Sequence, residues 1–435
     1  MIRESVVDGQ FYPGSAAQLK TMLRSFIDEK AGKEEAIGLV APHAGYIYSG
    51  AVVGAVVSKV QIPGTVILLG PNHTGRGEAC SIMTSGKWQT PLGMVPVDSE
   101  LAGQLLAGSR YLKEDILAHQ MEHSIEVQLP FLQYLKPDVK IIPIILAVQD
   151  PEILITLGKE IAEVLMKSSQ PALIFASSDM NHYESQKTTQ KKDQQAVEAM
   201  LEMDPLKLIS RINQQKITMC GYGPAAVMLS AANTIGGGRA EFVKYQTSGD
   251  VSGDYGAVVG YAGIIVRKLS PLVKLAKQAL ETYVRNGQVI KPEKLTPEME
   301  QKAGVFVCIK KAGKLRGCIG TFEPAQKNIA KEIIANAIST GVDDYRFEPV
   351  KSSELPDLEY SVDVLTHPEP VKDKSELNAR KYGVIVQAGY RRGLLLPDLE
   401  GVDTPEQQIE ICRQKGGIGE EEPVKLFRFE VKRFK

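Results

Sequence analysis

Over the first 268 residues, short runs of consecutive apolar residues alternate with longer amphipathic stretches. AIGLVA (36–41), TVILLG (65–70), VKIIPIILAV (139–148), PALIFAS (171–177) and EFVKYQTS (241–248) read as strands buried on both faces, because a strand with one wet face would alternate in polarity. Between them, SIEVQLPFLQYL (124–135) and EILITLGKEIAEVLMKS (152–168) carry apolar residues at helical spacing. Strands alternating with helices predict an α/β domain whose mostly parallel sheet is flanked by helices. The run GDYGAVVGYAGIIVRK (253–268) reads as its closing strand.

The pattern then changes. SPLVKLAKQALETYVRNG (270–287) is an amphipathic helix with Ser270 as its cap and Gly287 as its stop. GVFVCIKKAGKLRGCIGTF (304–322) is two β-rich runs joined by a Gly-Lys turn, the signature of a hairpin. VKLFRFEVKRF (424–434) alternates like one half-exposed antiparallel strand. These runs predict a second domain of the α+β class with an antiparallel sheet. The expected division is 1–268 and 271–435, in keeping with a 435-residue chain too long for one typical core.

Composition narrows the function classes. Lys plus Arg is 51 and Asp plus Glu is 52, a net charge of −1 that gives no reason to expect a nucleic acid or an anionic membrane as partner. No apolar run approaches the roughly 20 residues a membrane span needs, and MIRESVVDGQ has no secretory h-region. The five cysteines are scattered and never form a CxxC pair, which predicts free thiols and a reducing cytoplasm.

Six histidines occur in the chain, and three share one kind of position. His43 follows strand 36–41, His73 follows strand 65–70, and His182 follows strand 171–177 with Asp179 just before it. In a parallel sheet, ligands bind beyond the carboxyl ends of the strands. Imidazole suits both metal ligation and proton transfer near neutral pH. The coincidence predicts a metal or acid/base site acting on a small molecule. His119 and His123 lie four apart, a spacing that would share a helix face, with Glu122 beside the second. Glu122 and His123 read as groups that orient a ligand or touch substrate; His119 reads equally well as ordinary surface, and His367 as a structural loop residue.

GQFYP (9–13), APHAGYIYSG (41–50), GPNHTG (70–75), WQTPLG (88–93), EHSIEVQLPFLQ (122–133) and SSDMNHY (177–183) together resemble the Memo family. These are the AmmeMemoRadiSam system B proteins, relatives of class III extradiol dioxygenases. The resemblance implies that His43 and His73 bind a metal, iron(II) first and zinc or copper as alternatives. It implies that His182 lines the same pocket and is the acid/base group; Asp179 just before it is expected to orient it, and Tyr46, Tyr48 and Trp88 to help line the pocket. The family's third ligand position falls on Val251, which cannot coordinate; the neighbouring Asp250 is the expected substitute. The implied activity is oxidoreductase chemistry on a small, planar or aromatic substrate. The alternative is a non-catalytic adaptor that keeps the scaffold.

KLRGCIGTF (314–322), DDYRFEPV (343–350), ELPDLEYSVDVLTHPEPV (354–371), GLLLPDLEG (393–401) and EQQIEICRQKGGI (406–418) resemble the AMMECR domain, the system A protein. Arg316 and Arg346 are expected to face an anionic ligand, with the LRGCIG segment as a turn flooring a pocket. Cys318 reads either as a nucleophile or as a small buried hydrophobe. The resemblance names a domain without naming a reaction, and implies a radical-SAM protein as partner.

Overall fold

The computed structural model describes residues 1–292, 294–311, 313–399 and 401–434. The chain divides into two compact units, Met1–Lys268 and Leu269–Lys435.

In chain order, the main sheet of the first unit contains β1 (Gly38–Ala41), β2 (Thr65–Pro71), β3 (Cys80–Ile82), β4 (Lys113–Glu114), β5 (Lys140–Leu146), β6 (Ala172–Ser177), β7 (His182–Glu184), β8 (Gly238–Thr247) and β9 (Val258–Lys268). Their order is β7-β9-β1-β6-β2-β5-β3-β4, with β8 also paired to β9. The four central strands β1, β6, β2 and β5 are parallel, whereas β9 and β3 join antiparallel on either side. The sheet is therefore mixed, with a parallel heart. Helices α1 (Ala16–Phe26), α2 (Tyr46–Val57), α3 (Pro151–Lys167) and α4 (Tyr222–Gly236) flank it. Leu39, Ile67, Leu69, Ile144 and Phe175 are fully buried, which is why these strands show no polar alternation. β8 departs from the expectation of burial on both faces. It pairs only with β9 and stays partly exposed along most of its length.

The second unit contains β10 (Val305–Lys311), β11 (Lys314–Thr321), β12 (Leu358–Leu365), β13 (Glu369–Val371), β14 (Gly383–Ala388), β15 (Arg391–Leu395), β16 (Lys425–Phe429) and β17 (Val431–Phe434), with helices α5 (Pro271–Asn286), α6 (Ile329–Val342) and α7 (Pro405–Gly416). Two four-stranded antiparallel sheets form, in the orders β11-β10-β12-β17 and β13-β16-β14-β15. Val305, Val307, Ile309 and Val362 put one face of the first sheet against Leu272, Leu280 and Ile333 of α5 and α6. Ser270 caps α5 by accepting from the Val273 N–H, as expected. The C-terminal stretch is not one strand. It divides at Glu430, so that β16 pairs with β14 and β17 with β12 in the other sheet. Among the described residues, no helix is long and apolar enough to cross a membrane.

Candidate metal centre

β1, β2 and β6 run parallel, so the loops leaving their carboxyl ends emerge on one edge, and these loops carry His43, His73 and Asp179. A fourth segment joins them from outside the sheet. Ser124 donates to the Pro71 carbonyl at 3.1 Å. It lies so close over β2 that a Cβ on Gly70 would come within 2.5 Å of its hydroxyl. That approach delivers His123. Ligand atoms of His43, His73 and His123 all lie within 4.8 Å of one another, and their ring centroids are 4.8 to 5.6 Å apart.

The hydrogen bonds around the rings decide which nitrogens are available. The Ser177 hydroxyl donates to the Ser124 carbonyl at 2.6 Å and accepts from Gln128. Toward His43 it therefore offers a lone pair, and His43 Nδ1–H donates to it at 3.0 Å. This tautomer leaves the lone pair on Nε2, which faces the Cys220 thiol at 3.2 Å. His73 Nδ1 donates to Glu122 at 2.9 Å, and its backbone N–H binds the other carboxylate oxygen at 2.6 Å. The second ring nitrogen of His73 is likewise free. Holding an imidazole by one nitrogen to aim the other is how proteins preset metal ligands. Divalent first-row cations bond imidazole nitrogen at about 2.0–2.1 Å, so three rings this close converge on one ion with small side-chain movements. The residues fit a cation.

Electrostatics agree with that fit. Burial, reinforced by the nearby His73, His123 and His182, holds the His43 pKa well below its ordinary value, so this ring is neutral. Burial also lowers His123. Burial opposes the charged form of His73 too, but the Glu122 carboxylate overcomes it and the pKa is raised. Glu122 is fully buried, yet hydrogen bonds from His73 and Ser124 hold its pKa down at about 2.

Three expectations about this site need correction. Asp250 is not in the cluster. Its carboxylate turns back to accept from the Thr247 N–H at 2.8 Å and the Thr247 hydroxyl at 3.1 Å, which closes a short helical turn. Asp179 does not orient His182. It is buried, accepts the His43 backbone N–H at 2.8 Å, and burial raises its pKa to about 6. His182 is held by Thr218 instead: its Nδ1 donates to the Thr218 carbonyl at 2.9 Å. Nor is His119 ordinary surface. The helix through it stops at Gln120, so His119 and His123 diverge. His119 is fully buried against Ser81 and Trp88 and its pKa falls to about 4.

Trp88 and Tyr46 are core residues rather than pocket lining. Trp88 lies under the Arg3 guanidinium at 4.4 Å, and the Tyr46 hydroxyl donates to the Val127 carbonyl. Sequence reading missed the network that holds the His123 segment in place. Buried Arg3 donates to the carbonyls of His119 and Glu122 and pairs with fully buried Glu126. Glu126 also accepts from Val6, Val7 and the Tyr12 hydroxyl, so the GQFYP segment serves as a buttress. Glutamate and glutamine standing inside the apolar run SIEVQLPFL were the available signal. Cys220 had none.

In the second unit, LRGCIG is not a turn but the edge strand β11. Its glycines admit protein rather than ligand. A Cβ at Gly317 would meet the Thr340 carbonyl at 2.4 Å, and one at Gly320 the Phe306 ring at 2.3 Å. Arg316 forks onto Glu354 at 3.2 and 3.1 Å and donates to the Glu348 carbonyl. Arg346 forks onto Asp344 at 2.8 and 2.7 Å and donates to the Cys318 carbonyl. Both guanidinium forks are spent inside the protein, which removes the expected anion site. A groove of about 360 Å³ does exist in this unit, but its walls include Phe322, Glu323, His367, Arg392 and Phe427 and none of the three predicted residues.

Comparison with known proteins bears on both units. Residues 3–265 match the family described as Memo-like protein, and residues 273–434 match AMMECR1. A MEMO1 family protein of Thermotoga neapolitana is 46% identical over 281 residues, spanning 61% of this chain and all of that protein. A MEMO1 family protein of Methanosarcina acetivorans is 43% identical over 267 residues, spanning 61% of this chain and 99% of its own. Among solved structures, an uncharacterized Pyrococcus horikoshii protein has 33% identity and a TM-score of 0.35, covering 37% of this chain and 88% of its own. An uncharacterized Escherichia coli K12 protein has 11% identity and a TM-score of 0.37, covering 52% of this chain and 98% of its own. With the Memo-like match spanning more than half of its length, the chain belongs to the Memo-like family, and it carries an AMMECR1 unit behind that domain.

Proposed function

We propose that the first unit is a metal-dependent enzyme of the class III extradiol dioxygenase-like kind, acting on a small, planar substrate. His43, His73 and His123 would hold the cation. The observation that carries this reading is the convergence of three imidazoles, two of them held through Nδ1 so that the lone pair on Nε2 faces the cluster, with the Cys220 thiol beside that of His43. An all-imidazole set suits iron, zinc or copper, and iron(II) is the reading taken from the family resemblance. Lewis-acid polarisation of a substrate oxygen is the chemistry such a cation supplies. His182 supports a proton-transfer role beside it. Its Nδ1–H is committed to Thr218, burial lowers its pKa, and the lone pair on Nε2 accepts a proton from substrate. The AMMECR1 unit and a radical-SAM partner would serve the same pathway.

Elemental analysis of the purified chain, followed by titration of the metal-free chain with Fe(II), Zn(II) and Cu(II), tests this reading. One cation per chain is expected. A chain that takes up none of the three would leave the adaptor reading in its place. In the same titration Asp250→Asn is expected to match the wild type, because its carboxylate serves Thr247. A clear loss of affinity in that variant would restore Asp250 to the ligand set.

A further inference from the structure

The antiparallel register of β10 and β11 sets Cys308 directly opposite Cys318. The backbone of Cys318 shows which kind of pair this is. Its N–H donates outward to Asp344 at 2.9 Å and its carbonyl accepts from Arg346 at 3.0 Å, so neither group points toward β10. Cys308 and Cys318 therefore occupy a non-hydrogen-bonded position. There the facing Cα atoms come to about 4.5 Å and the side chains approach closest. That separation falls within the Cα–Cα range of roughly 4.4–6.8 Å that a disulfide spans without moving the backbone. Val305, Val307 and Ile309 alternate with Cys308 and fill the core side, which puts both thiols on the other face of the sheet, each partly exposed.

We propose that Cys308 and Cys318 form a cross-strand dithiol that exchanges with small disulfides of the glutathione class and closes to an intramolecular disulfide. The Cys308 thiolate attacks one sulfur of the small disulfide, and the first small thiolate leaves and takes up a proton. Cys318 then gives up its proton and attacks the Cys308 sulfur, expelling the second. Two protein thiols become one S–S bond, and one small disulfide is reduced to two thiols.

The surroundings favour this pair over the other cysteines. A hydrogen bond from Cys318, aided by Lys310 and Arg433, lowers the Cys308 pKa against burial and the opposing charge of Asp363. The same bond, with burial, raises Cys318 despite Arg346. Within this proposal Cys308, with Lys310 and Arg433 near it, is assigned as the attacking thiol and Cys318 as the resolving one. Burial pushes Cys80 up to about 11 and Cys412 up to about 12, and it raises Cys220 as well, so those three thiols stay protonated.

The test uses the full chain in a series of oxidised-to-reduced glutathione ratios, quenched with acid and digested with trypsin without reduction. Lys310, Lys311, Lys314 and Arg316 lie between the two cysteines, so digestion separates them unless a disulfide joins them. The expected product at oxidising ratios is peptide 303–310 linked to peptide 317–327, lost again on reduction. Cys318→Ser should instead accumulate a stable glutathione adduct on Cys308, while Cys308→Ser leaves Cys318 unmodified over the same exposure. Absence of the linked peptide from the wild type at every ratio would overturn the proposal. Adduct formation first at Cys318 would overturn the assigned order of attack. The wild-type map decides even if a variant fails to fold.

Discussion

His123→Ala is expected to weaken binding of a divalent cation by about 100-fold or more, since losing even an outer-shell partner of a metal ligand costs about 10–100-fold. The ring supplies one of the three converging nitrogens and stacks on His73 at 4.8 Å, while outside the histidine cluster its contacts are the Phe11 ring at 4.9 Å and Glu122 at 3.5 Å. Stability should therefore fall by only about 1 kcal/mol, the scale of one aromatic edge contact. Affinity and fold are separable in this variant, which makes it a sharper probe than His43→Ala. His43 is 2% exposed and bonded on both nitrogens, so its removal also opens the core. Competition titration against a chromophoric chelator reads the effect, and an affinity unchanged in His123→Ala would exclude His123 as a ligand. The affinity should also be pH-dependent with a definite sign. The His73 pKa is raised above its ordinary value of 6.5 by Glu122, so His73 gains a proton as pH falls toward that value. A proton there competes with the cation, and binding should weaken with acidification from the neutral range downward.

Glu126→Ala is expected to destabilise the first unit by about 3–5 kcal/mol, because it strands a buried cation. Arg3 is 4% exposed and Glu126 is fully buried. Removing the carboxylate also unpairs the N–H groups of Val6 and Val7 and the Tyr12 hydroxyl. For a unit of this size the midpoint of thermal unfolding should drop by roughly 10 °C. The chain's single tryptophan, Trp88, lies under Arg3, so its fluorescence follows this unit alone within the two-unit chain. Replacing both partners in Arg3→Met/Glu126→Leu should recover only the part of the loss due to the lone buried charge, since Val6, Val7 and the Tyr12 hydroxyl still lack their acceptor. A loss below about 1 kcal/mol in Glu126→Ala would mean that water reaches Arg3 and that the pair is not a dry one.

Periodicity is a local property, and what depends on it could be read from the residues directly. Unbroken apolar runs such as TVILL and IIPIIL mark strands covered on both faces, and the loops that follow parallel strands gather on one edge. His43 and His73 were found by that reasoning. The same reasoning located the hairpin of β10 and β11 and the cap of α5 at Ser270.

Side-chain pairing across long sequence separations was not encoded locally, and the tertiary structure decided it. The spacing of His119 and His123 suggested one helix face, but the helix ends at Gln120, and Ser124 seated on β2 sends His123 to the cluster and leaves His119 in the core. Asp250 stood next to the expected ligand position, yet the nearest donors to its carboxylate are the N–H and hydroxyl of Thr247. Arg316 looked free because its partner Glu354 lies 38 residues away. Each outcome turned on which donor or acceptor the fold carried within about 3 Å, the range over which a hydrogen bond forms. The sequence alone was enough to read the buried central strands and the edge of the sheet that carries His43 and His73. Only packing brought His123, rather than His119, beside His43 and His73, because competition among buried polar groups for partners is settled in space rather than along the chain.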